Sequence, residues 1–259
     1  MVTLFDNSQW DENALLEKMY DDDFYYGYLG KNALSSSAVK MLNKSPKHYH
    51  FVTKYGQSSS TNLEVGNFVH TMILEPHEFE NRFHIANCQS RNAKVFKEAR
   101  SHTQKICLTK KEYDDNMRVV DAALRNEEVL QIIQGCEFEI PAVGMINGLP
   151  FRAKADILHD EFAFMADLKT TSDVHAFRYS ADKYGYDAQA YIYTTLFNVP
   201  IKQFKFVAVD KGSLDIGIFT ITEDFVARGK QKVDEACDIY RNFFILGQDL
   251  DSYTLKGEL

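Results

Sequence analysis

The sequence predicts an α/β or α+β fold in which a central mixed sheet is flanked by helices and preceded by a helical N-terminal part. Apolar residues recur at helical spacing before Gly135, whereas short β-rich segments dominate after it. Those later segments follow the order three strands, helix, two strands, helix. With 259 residues, 45% of them hydrophobic, the chain is long enough to bury one large core.

The helical part is predicted to extend from residue 31 to residue 134. NALSSSAVKMLNK begins a helix because its serines offer an N-cap, and Pro46 begins a second helix. LEVGNFVHTMILEP is predicted as a helix that stops before Pro76, and GQSSSTN as the flexible loop that precedes it. Residues 91–105 and 109–134 are predicted as two further helices.

The sheet part is predicted to extend from residue 135 to residue 259. EFEIPAVGMI and LPFRAKADIL form a hairpin, because Asn147-Gly148 between them is typical of a tight turn. FAFMADLKT follows across the turn HDEF. A helix then covers about residues 180–197, FKFVAVD and DIGIFTIT pair across KGSL, and a helix over residues 223–246 closes the chain.

The domain organisation follows from these parts. We expect residues 31–259 to form one domain, made of the helical part and the catalytic sheet core, without an internal repeat or linker. Residues 1–30 are acidic and aromatic, and we interpret them as a leader that either packs on this domain or stays mobile.

Charge is distributed unevenly along the chain, although the net charge is −8. Residues 1–30 carry seven acids and one lysine, a net charge of −6. Residues 31–63 carry five lysines and no acid, and residues 91–111 carry seven basic residues against Glu98, a net charge of +6. Two such basic blocks are able to follow a phosphate backbone, but solvated helix faces are an alternative explanation.

Several classes of protein are disfavoured by composition. No run of about 18 apolar residues is present, so we predict no transmembrane helix. The N-terminal residues lack the basic and apolar regions of a signal peptide, which predicts a cytoplasmic protein. The four cysteines, at 88, 107, 136 and 237, are far apart in sequence and argue against a zinc site, a disulfide framework or an iron–sulfur cluster.

Two carboxylates and an ammonium group occupy the segment RAKADILHDEFAFMADLKT. Alternation along the strand places Asp156 on one face with Arg152 and Lys154, and Asp167 shares a face with Lys169. If the two strands pair across HDEF, the aspartates converge, and a hard cation such as Mg²⁺ or Mn²⁺ would relieve their repulsion. The arrangement suits metal-assisted phosphodiester hydrolysis, with the lysine acting on water or on the developing phosphate charge.

A structural explanation of the same residues remains open at this point. Three common residue types at the loose spacing D-x₁₀-D-x-K recur by chance, and they could be surface aspartates with Lys169 in an exposed salt bridge.

Four ordered blocks resemble a known group of enzymes. LSSSAVKMLNKSPKHYHF, LEVGNFVHTMILEPHEFENRF, the strand pair RAKADIL and MADLKTT, and YDAQAYIY together resemble the PD-(D/E)XK nuclease superfamily. Within it, they are most similar to the exodeoxyribonuclease VIII (RecE-type) nucleases of phages and prophages, which are akin to RecB-like nucleases. The blocks cover residues 34–193. The resemblance implies a restriction-endonuclease-like core.

The resemblance also implies roles for single residues. Asp156 and Asp167 resemble the two metal carboxylates, His70 a nitrogen ligand of the metal, and the carbonyl group of Leu168 a further ligand. Lys169 resembles the catalytic lysine. Ala155 stands where the superfamily often has proline.

Further residues complete the predicted site. Gln189 and Tyr193 resemble the pair that positions DNA near the lysine. Glu137 and Glu139 are both candidates for an additional catalytic acid, since alternation puts them on one face, and we favour Glu139. Contacts to DNA are assigned to Ser36, Lys40, Lys94, Lys97 and Arg100 as well as to Gln189 and Tyr193.

The expected function is that of a Mg²⁺- or Mn²⁺-dependent exodeoxyribonuclease. The resemblance implies action on ends of linear double-stranded DNA in phage-type recombination, a ring-shaped homo-oligomer and a single-strand annealing protein as partner. One alternative is a catalytically idle module of the same fold that binds DNA ends or docks a partner. Another is a metal-dependent hydrolase of small molecules, which the basic blocks and the Q-x₃-Y motif disfavour.

Overall fold

The computed structural model describes residues 1–56, 60–161 and 163–255. The strands in this part of the chain are β1 Val2–Thr3, β2 Gln9–Trp10, β3 Phe83–Ala86, β4 Ile106–Thr109, β5 Glu137–Ile146, β6 Leu149–His159, β7 Phe164–Thr171, β8 Phe204–Asp210 and β9 Ile216–Thr220. The α-helices are α1 Glu12–Lys18, α2 Leu29–Asn32, α3 Ser36–Lys44, α4 Pro46–Tyr55, α5 Thr61–Leu74, α6 Phe79–Arg82, α7 Lys94–Ser101, α8 Lys110–Arg125, α9 Glu127–Ile133, α10 Phe177–Tyr184, α11 Tyr186–Leu196 and α12 Glu223–Tyr240.

A mixed sheet forms the centre of the described molecule. Its strand order is β5-β6-β7-β8-β9, and all neighbours are antiparallel except the parallel pair β7 and β8. One face of the sheet packs against α3, α11 and α12, and the opposite face packs against α5, α8 and α9. The predicted fold class, a mixed sheet flanked by helices, is therefore confirmed.

The predicted hairpin between the first two strands of the sheet is also confirmed. Asn147 and Gly148 separate β5 from β6 and have φ values of 50° and 71°. Two positive φ values at the centre of a two-residue turn are the geometry that an Asn-Gly pair favours. The next strand, β7, pairs with the last three residues of β6, beginning with Ile157 opposite Ala166.

Some helix boundaries differ from the predicted ones, because adjacent elements were predicted as one continuous helix. The predicted helix over 91–105 is shorter and covers Lys94–Ser101, and ICLT beyond it forms β4, which pairs in parallel with the distant β3. The predicted helix over 109–134 is two helices, since Asn126 ends α8 and its side chain caps α9. The predicted helix around 180–197 is divided by Gly185, whose φ is 73°.

Two predicted loops lie partly outside the described residues. In GQSSSTN, residues 57–59 lie outside them, and α5 begins at Thr61 with Ser60 as its N-cap. In the turn HDEF, Phe162 lies outside them. The chain's last predicted helix is α12, followed by a π-helical turn over Arg241–Ile245.

The acidic leader packs on the rest of the chain. Leu15, Met19 and Tyr25 form a buried cluster with Val143 of β5. Over the residues described, no helix has the length and hydropathy needed to cross a membrane.

Helices α11 and α12 approach each other so closely that their contact requires a glycine. A Cβ atom at Gly229 would overlap the carbonyl oxygen of Asp187. The carboxylate of Asp187 is fully buried, and Lys232 of α12 lies 2.7 Å from it. This contact fixes α11 against the sheet, and α11 carries Gln189.

We expect Gly229→Ala to destabilise the protein because the added methyl group forces the two helices apart. Overpacking of this kind costs about 1–3 kcal/mol, which is about 2–12 °C in melting temperature for a chain of this size. Gly27→Ala is the matched control, since nothing lies within 4 Å of the position of its added methyl group. Thermal unfolding of both variants tests this, and equal melting temperatures would contradict the close approach.

Candidate active site

A large cleft, about 1520 Å³ in volume, opens beside the edge of the sheet where β6 and β7 separate. Its walls come from the leader, α3, α5, α6, β5, β6, β7, α10 and α11. His70, Glu139, Asp156, Leu168, Lys169, Gln189 and Tyr193 all line it. The structure thus brings together most of the site residues that the sequence predicts.

Asp156 and Asp167 meet where the pairing of β6 and β7 ends. The last backbone pair is Ile157 with Ala166, so the two aspartates occupy the next facing positions. There the Asp156 carboxylate accepts the Leu168 N–H at 2.8 Å, in place of a backbone acceptor on β6. Both side chains are buried, and Asp167 has no exposed surface. The two strands therefore pair across HDEF, and the aspartates converge as expected from that pairing.

The backbone is irregular at the same point, and this irregularity brings Glu139 to the site. Ala155 faces one core cluster and Ile157 faces the other, so strict alternation breaks at Asp156. Glu139, opposite Asp156 in the register, has a φ of 54°, which a residue other than glycine rarely adopts. Glu139 lines the cleft, whereas Glu137 is exposed.

His70 reaches the site from α5, which lies against β7. Its Nε2 lies 2.6 Å from the carbonyl oxygen of Leu168, and its Nδ1 lies 3.5 Å from the Asp156 carboxylate. Ligand atoms of His70, Glu139 and Asp156 all lie within 4.8 Å of one another. Two carboxylates and one imidazole at this spacing are able to hold a divalent cation.

Asp167 lies beside this group, and its oxygens are engaged by two other side chains. Gln189 Nε2 donates a hydrogen bond to one oxygen at 2.5 Å, and the Lys169 ammonium forms an ion pair with the other. Lys169 also lies 4.9 Å from the ring centre of Tyr186. Gln189 therefore orients the Asp167 carboxylate, which in turn holds the Lys169 ammonium.

Burial and mutual repulsion shift the pKa values of the site acids. Burial, reinforced by the charge of Asp156, raises the pKa of Glu139 to about 8. Burial and the same neighbouring charge also raise the pKa of Asp167. Burial alone would lower the pKa of Lys169, but the charges of Asp167 and Asp156 outweigh it and raise that pKa. Lys169 is therefore a cation at neutral pH.

The predicted DNA-contacting residues are placed in different surroundings. Ser36 and Lys40 line the cleft. Tyr193 also borders the cleft, although most of its side chain is buried in the core. Lys94, Lys97 and Arg100 lie on the exposed face of α7, outside the cleft lining, and Lys94 lies 3.6 Å from Glu98. Lys105, just beyond α7, does line the cleft.

Sequence reasoning missed the contribution of the leader to the cleft. Asp22 accepts a hydrogen bond from Lys154 at 2.8 Å and lies 3.3 Å from Arg82. Tyr25 and Tyr26 lie over Arg152 and line the cleft with it. The run DDDFYYGY indicates negative charge and aromatic rings, but no local pattern indicates which distant cations they contact.

We expect the stability of the metal-free protein to fall with rising pH because of Glu139. With its raised pKa the folded state keeps the proton of Glu139 up to about pH 8, whereas the unfolded chain loses it near the ordinary glutamate pKa of 4.5. Between these values folding binds a proton, so stability decreases as pH increases. Glu139→Gln should therefore melt at a higher temperature than wild type at about pH 9 in EDTA, and nearly equally at about pH 5. Equal melting temperatures at both pH values would contradict this.

Comparisons with known proteins agree with this fold. A family model described as a PDDEXK-like domain of unknown function (DUF3799) matches residues 35–244. A crystal structure of a proposed exonuclease from Eubacterium rectale has a TM-score of 0.63 at 16% identity, over 92% of this chain and 95% of that chain. This likeness shows the shared fold. A phage-related exonuclease from Haemophilus somnus has 16% identity over 61% of this chain and 91% of its own, with a TM-score of 0.32.

A search of the curated proteins finds no match. The family model covers most of the chain, including every site residue discussed except the leader's. The resemblance to the PD-(D/E)XK superfamily is thereby confirmed, and the chain belongs to the family of PDDEXK-like domains of unknown function (DUF3799).

Proposed function

We propose that this protein is a divalent-metal-dependent exodeoxyribonuclease that hydrolyses DNA from the ends of linear duplexes. The observation that carries the proposal is the meeting of Glu139, Asp156 and His70 beside the Asp167–Lys169 pair, at the floor of one cleft. Buried carboxylates at this spacing repel each other, and a cation between them would remove that cost.

The donor set fits Mg²⁺ or Mn²⁺. Asp156 and Glu139 offer carboxylate oxygens and His70 offers an imidazole nitrogen, and burial together with the charge of Asp156 raises the pKa of Glu139. Asp167 and the carbonyl oxygen of Leu168 are proposed as the remaining ligands, because they resemble the metal ligands of the PD-(D/E)XK superfamily. When bound there, a divalent cation supplies Lewis acidity and lowers the pKa of a bound water.

Lys169 is proposed as the residue that stabilises the developing charge. Its ammonium, paired with Asp167 beside the proposed metal ligands, would donate hydrogen bonds and positive charge to the developing phosphate charge. The hydrogen bond from Gln189 to Asp167 and the ring of Tyr186 keep the ammonium beside the carboxylates. These contacts position the charge before the substrate binds.

The cleft is proposed to hold the DNA backbone. Ser36 and Lys40 of α3 and Lys105, which follows α7 in the sequence, line it. The proposed substrate is the end of duplex DNA, and the proposed assembly is a ring-shaped homo-oligomer. In phage-type recombination the proposed partner is a single-strand annealing protein. The proposed location is the cytoplasm. Cleavage of linear but not circular duplex DNA in Mg²⁺, abolished by EDTA, tests the exonuclease.

An idle DNA-end-binding module is the second candidate function. It shares the fold and the cleft, so the two functions differ only in turnover. The joint presence of His70, Asp156 and Asp167 with Lys169 and Gln189 favours the enzyme, because a module that only binds DNA needs no metal carboxylates. Binding of linear duplex without any cleavage in Mg²⁺ or Mn²⁺ would favour the module.

We expect Lys169→Ala to separate metal binding from chemistry. Loss of one preorganised electrostatic donor costs about 10²–10³ in turnover, whereas the metal ligands remain. Asp156→Asn should instead weaken Mn²⁺ binding and cleavage together. Calorimetric titration with Mn²⁺ and single-turnover cleavage of linear duplex measure both effects. Wild-type cleavage by the Lys169 variant would contradict its catalytic role.

We also expect the basic face of α7 to contribute to the salt dependence of DNA binding. Each phosphate neutralised contributes about −0.9 to the slope of log affinity against log salt. Replacing Lys94, Lys97 and Arg100 by glutamate should flatten that slope, measured by anisotropy in EDTA. The same replacement at the exposed Lys230, which lies outside both basic blocks and pairs with Asp234 on α12, serves as control. An unchanged slope in the α7 variant would mean that these residues are only a solvated face.

A further inference from the structure

Three cations lie on the leader side of the cleft, and two of them are matched by acids. Arg82 lies 2.6 Å from Glu75 and 3.3 Å from Asp22. Lys154 lies 2.8 Å from the other oxygen of Asp22. The positive charge of both side chains is therefore compensated within the protein.

Arg152 is the third cation, and it differs from its neighbours. Its side chain lines the cleft although the residue is only 8% exposed. Within the described part of the chain no carboxylate forms an ion pair with it, and its Nε atom is buried without a hydrogen-bond acceptor. The guanidinium instead lies 4.2 Å from the ring centre of Tyr25 and 5.9 Å from that of Tyr26.

The aromatic rings hold the guanidinium without neutralising it. Burial raises the pKa of Tyr25, so its hydroxyl stays uncharged at neutral pH. Attraction to a ring face offsets only part of the cost of burying a cation. A buried guanidinium that has no acid and borders a cleft is expected to receive its anion from a ligand.

The N-terminus of α3 borders the same part of the cleft. Backbone hydrogen bonds join Leu34 to β6 on both sides of Phe151, with Arg152 N–H donating to Leu34 at 2.8 Å. The helix that follows begins at Ser36, and Ser35 to Ser37 line the cleft. A helix N-terminus presents free N–H groups and the positive end of the helix dipole, both of which favour an anion.

We propose that Arg152 and the N-terminus of α3 form a phosphate-binding subsite for DNA, separate from the metal carboxylates. The inference rests on the proposed nuclease function. Arg152 precedes Asp156 by four residues, which is about 13 Å along an extended strand. Its guanidinium packs on the Tyr25 ring instead of extending toward Asp156. The subsite therefore holds a phosphate other than the one at the metal site.

The phosphate could come from two positions in DNA. An internal phosphodiester and a terminal phosphomonoester present the same oxygens to a guanidinium and to helix N–H groups. Duplexes that carry 5′-phosphate, 3′-phosphate or only hydroxyl ends distinguish these sources. A contribution of Arg152 that persists with hydroxyl ends identifies an internal phosphate, and one that requires a phosphorylated end identifies a terminal phosphate.

The test is the salt dependence of duplex binding in EDTA, where no hydrolysis occurs. Arg152→Met is expected to weaken binding at least about tenfold and to reduce the slope by about 0.9. Lys230→Met is the matched control. It removes one exposed cation that pairs with Asp234 on α12 and lies outside the cleft lining, and it is expected to keep the wild-type slope. Wild-type affinity and slope in folded Arg152→Met overturn the proposal.

A second measurement covers the case in which Arg152→Met does not fold. Arg152→Lys keeps the positive charge but has no arginine Nε–H group at this position. The Nε–H signal that is present in the NMR spectrum of ¹⁵N-labelled wild-type protein and absent from that of the variant therefore belongs to Arg152. That signal is expected to shift when duplex is added, and an unchanged signal overturns the proposal. Parallel cleavage assays separate the two claims. If wild type cleaves linear duplex but Arg152 contributes nothing to binding, the subsite is wrong and the nuclease function stands.

Discussion

Repulsion between buried carboxylates is the constraint on which the site depends. Glu139, Asp156 and Asp167 converge where two strands part, and burial makes each negative charge costly there. Within the described residues, Lys169 forms an ion pair with Asp167, whereas burial and the charge of Asp156 raise the pKa of Glu139. A cluster of carboxylates that repel each other before any ligand binds is well suited to hold a divalent cation, and the cation can in turn bind a phosphate.

The fold maintains this costly arrangement by fixing each side chain from a different element. The ladder between β6 and β7 ends at Ile157, which frees the Leu168 N–H to bind the Asp156 carboxylate. The left-handed backbone of Glu139 turns its side chain toward the same point. On the opposite side, the glycine contact between α11 and α12 places Gln189 against Asp167. The strained backbone of Glu139 and the repelling carboxylates thus lie together at the end of the β6–β7 ladder, and the packing of the surrounding elements keeps them in place.

Patterns with short range were predictable from sequence, and contacts with long range were not. Pairing of the two strands across the HDEF turn placed Asp156 and Asp167 on facing positions, and the Asn147-Gly148 turn fixed the hairpin, because both depend on neighbours along the chain. The assignment of His70 needed the family resemblance, since a histidine on an apolar helix has no local signal of metal binding. The pairing of β3 with β4 and the contact of Asp22 with Lys154 join segments far apart in sequence. Their partners are decided by packing of the whole domain.

The central claim is that these carboxylates hold a divalent cation, and the anomalous diffraction of a crystal soaked in Mn²⁺ tests it most directly. The account predicts one strong peak at about 2 Å from oxygens of Asp156 and Glu139 and from a ring nitrogen of His70. Lys169 should remain beside Asp167 without bridging to the metal ligands. A site without a peak at saturating Mn²⁺, or with a lysine ammonium between Asp156 and Glu139 in its place, would contradict the account.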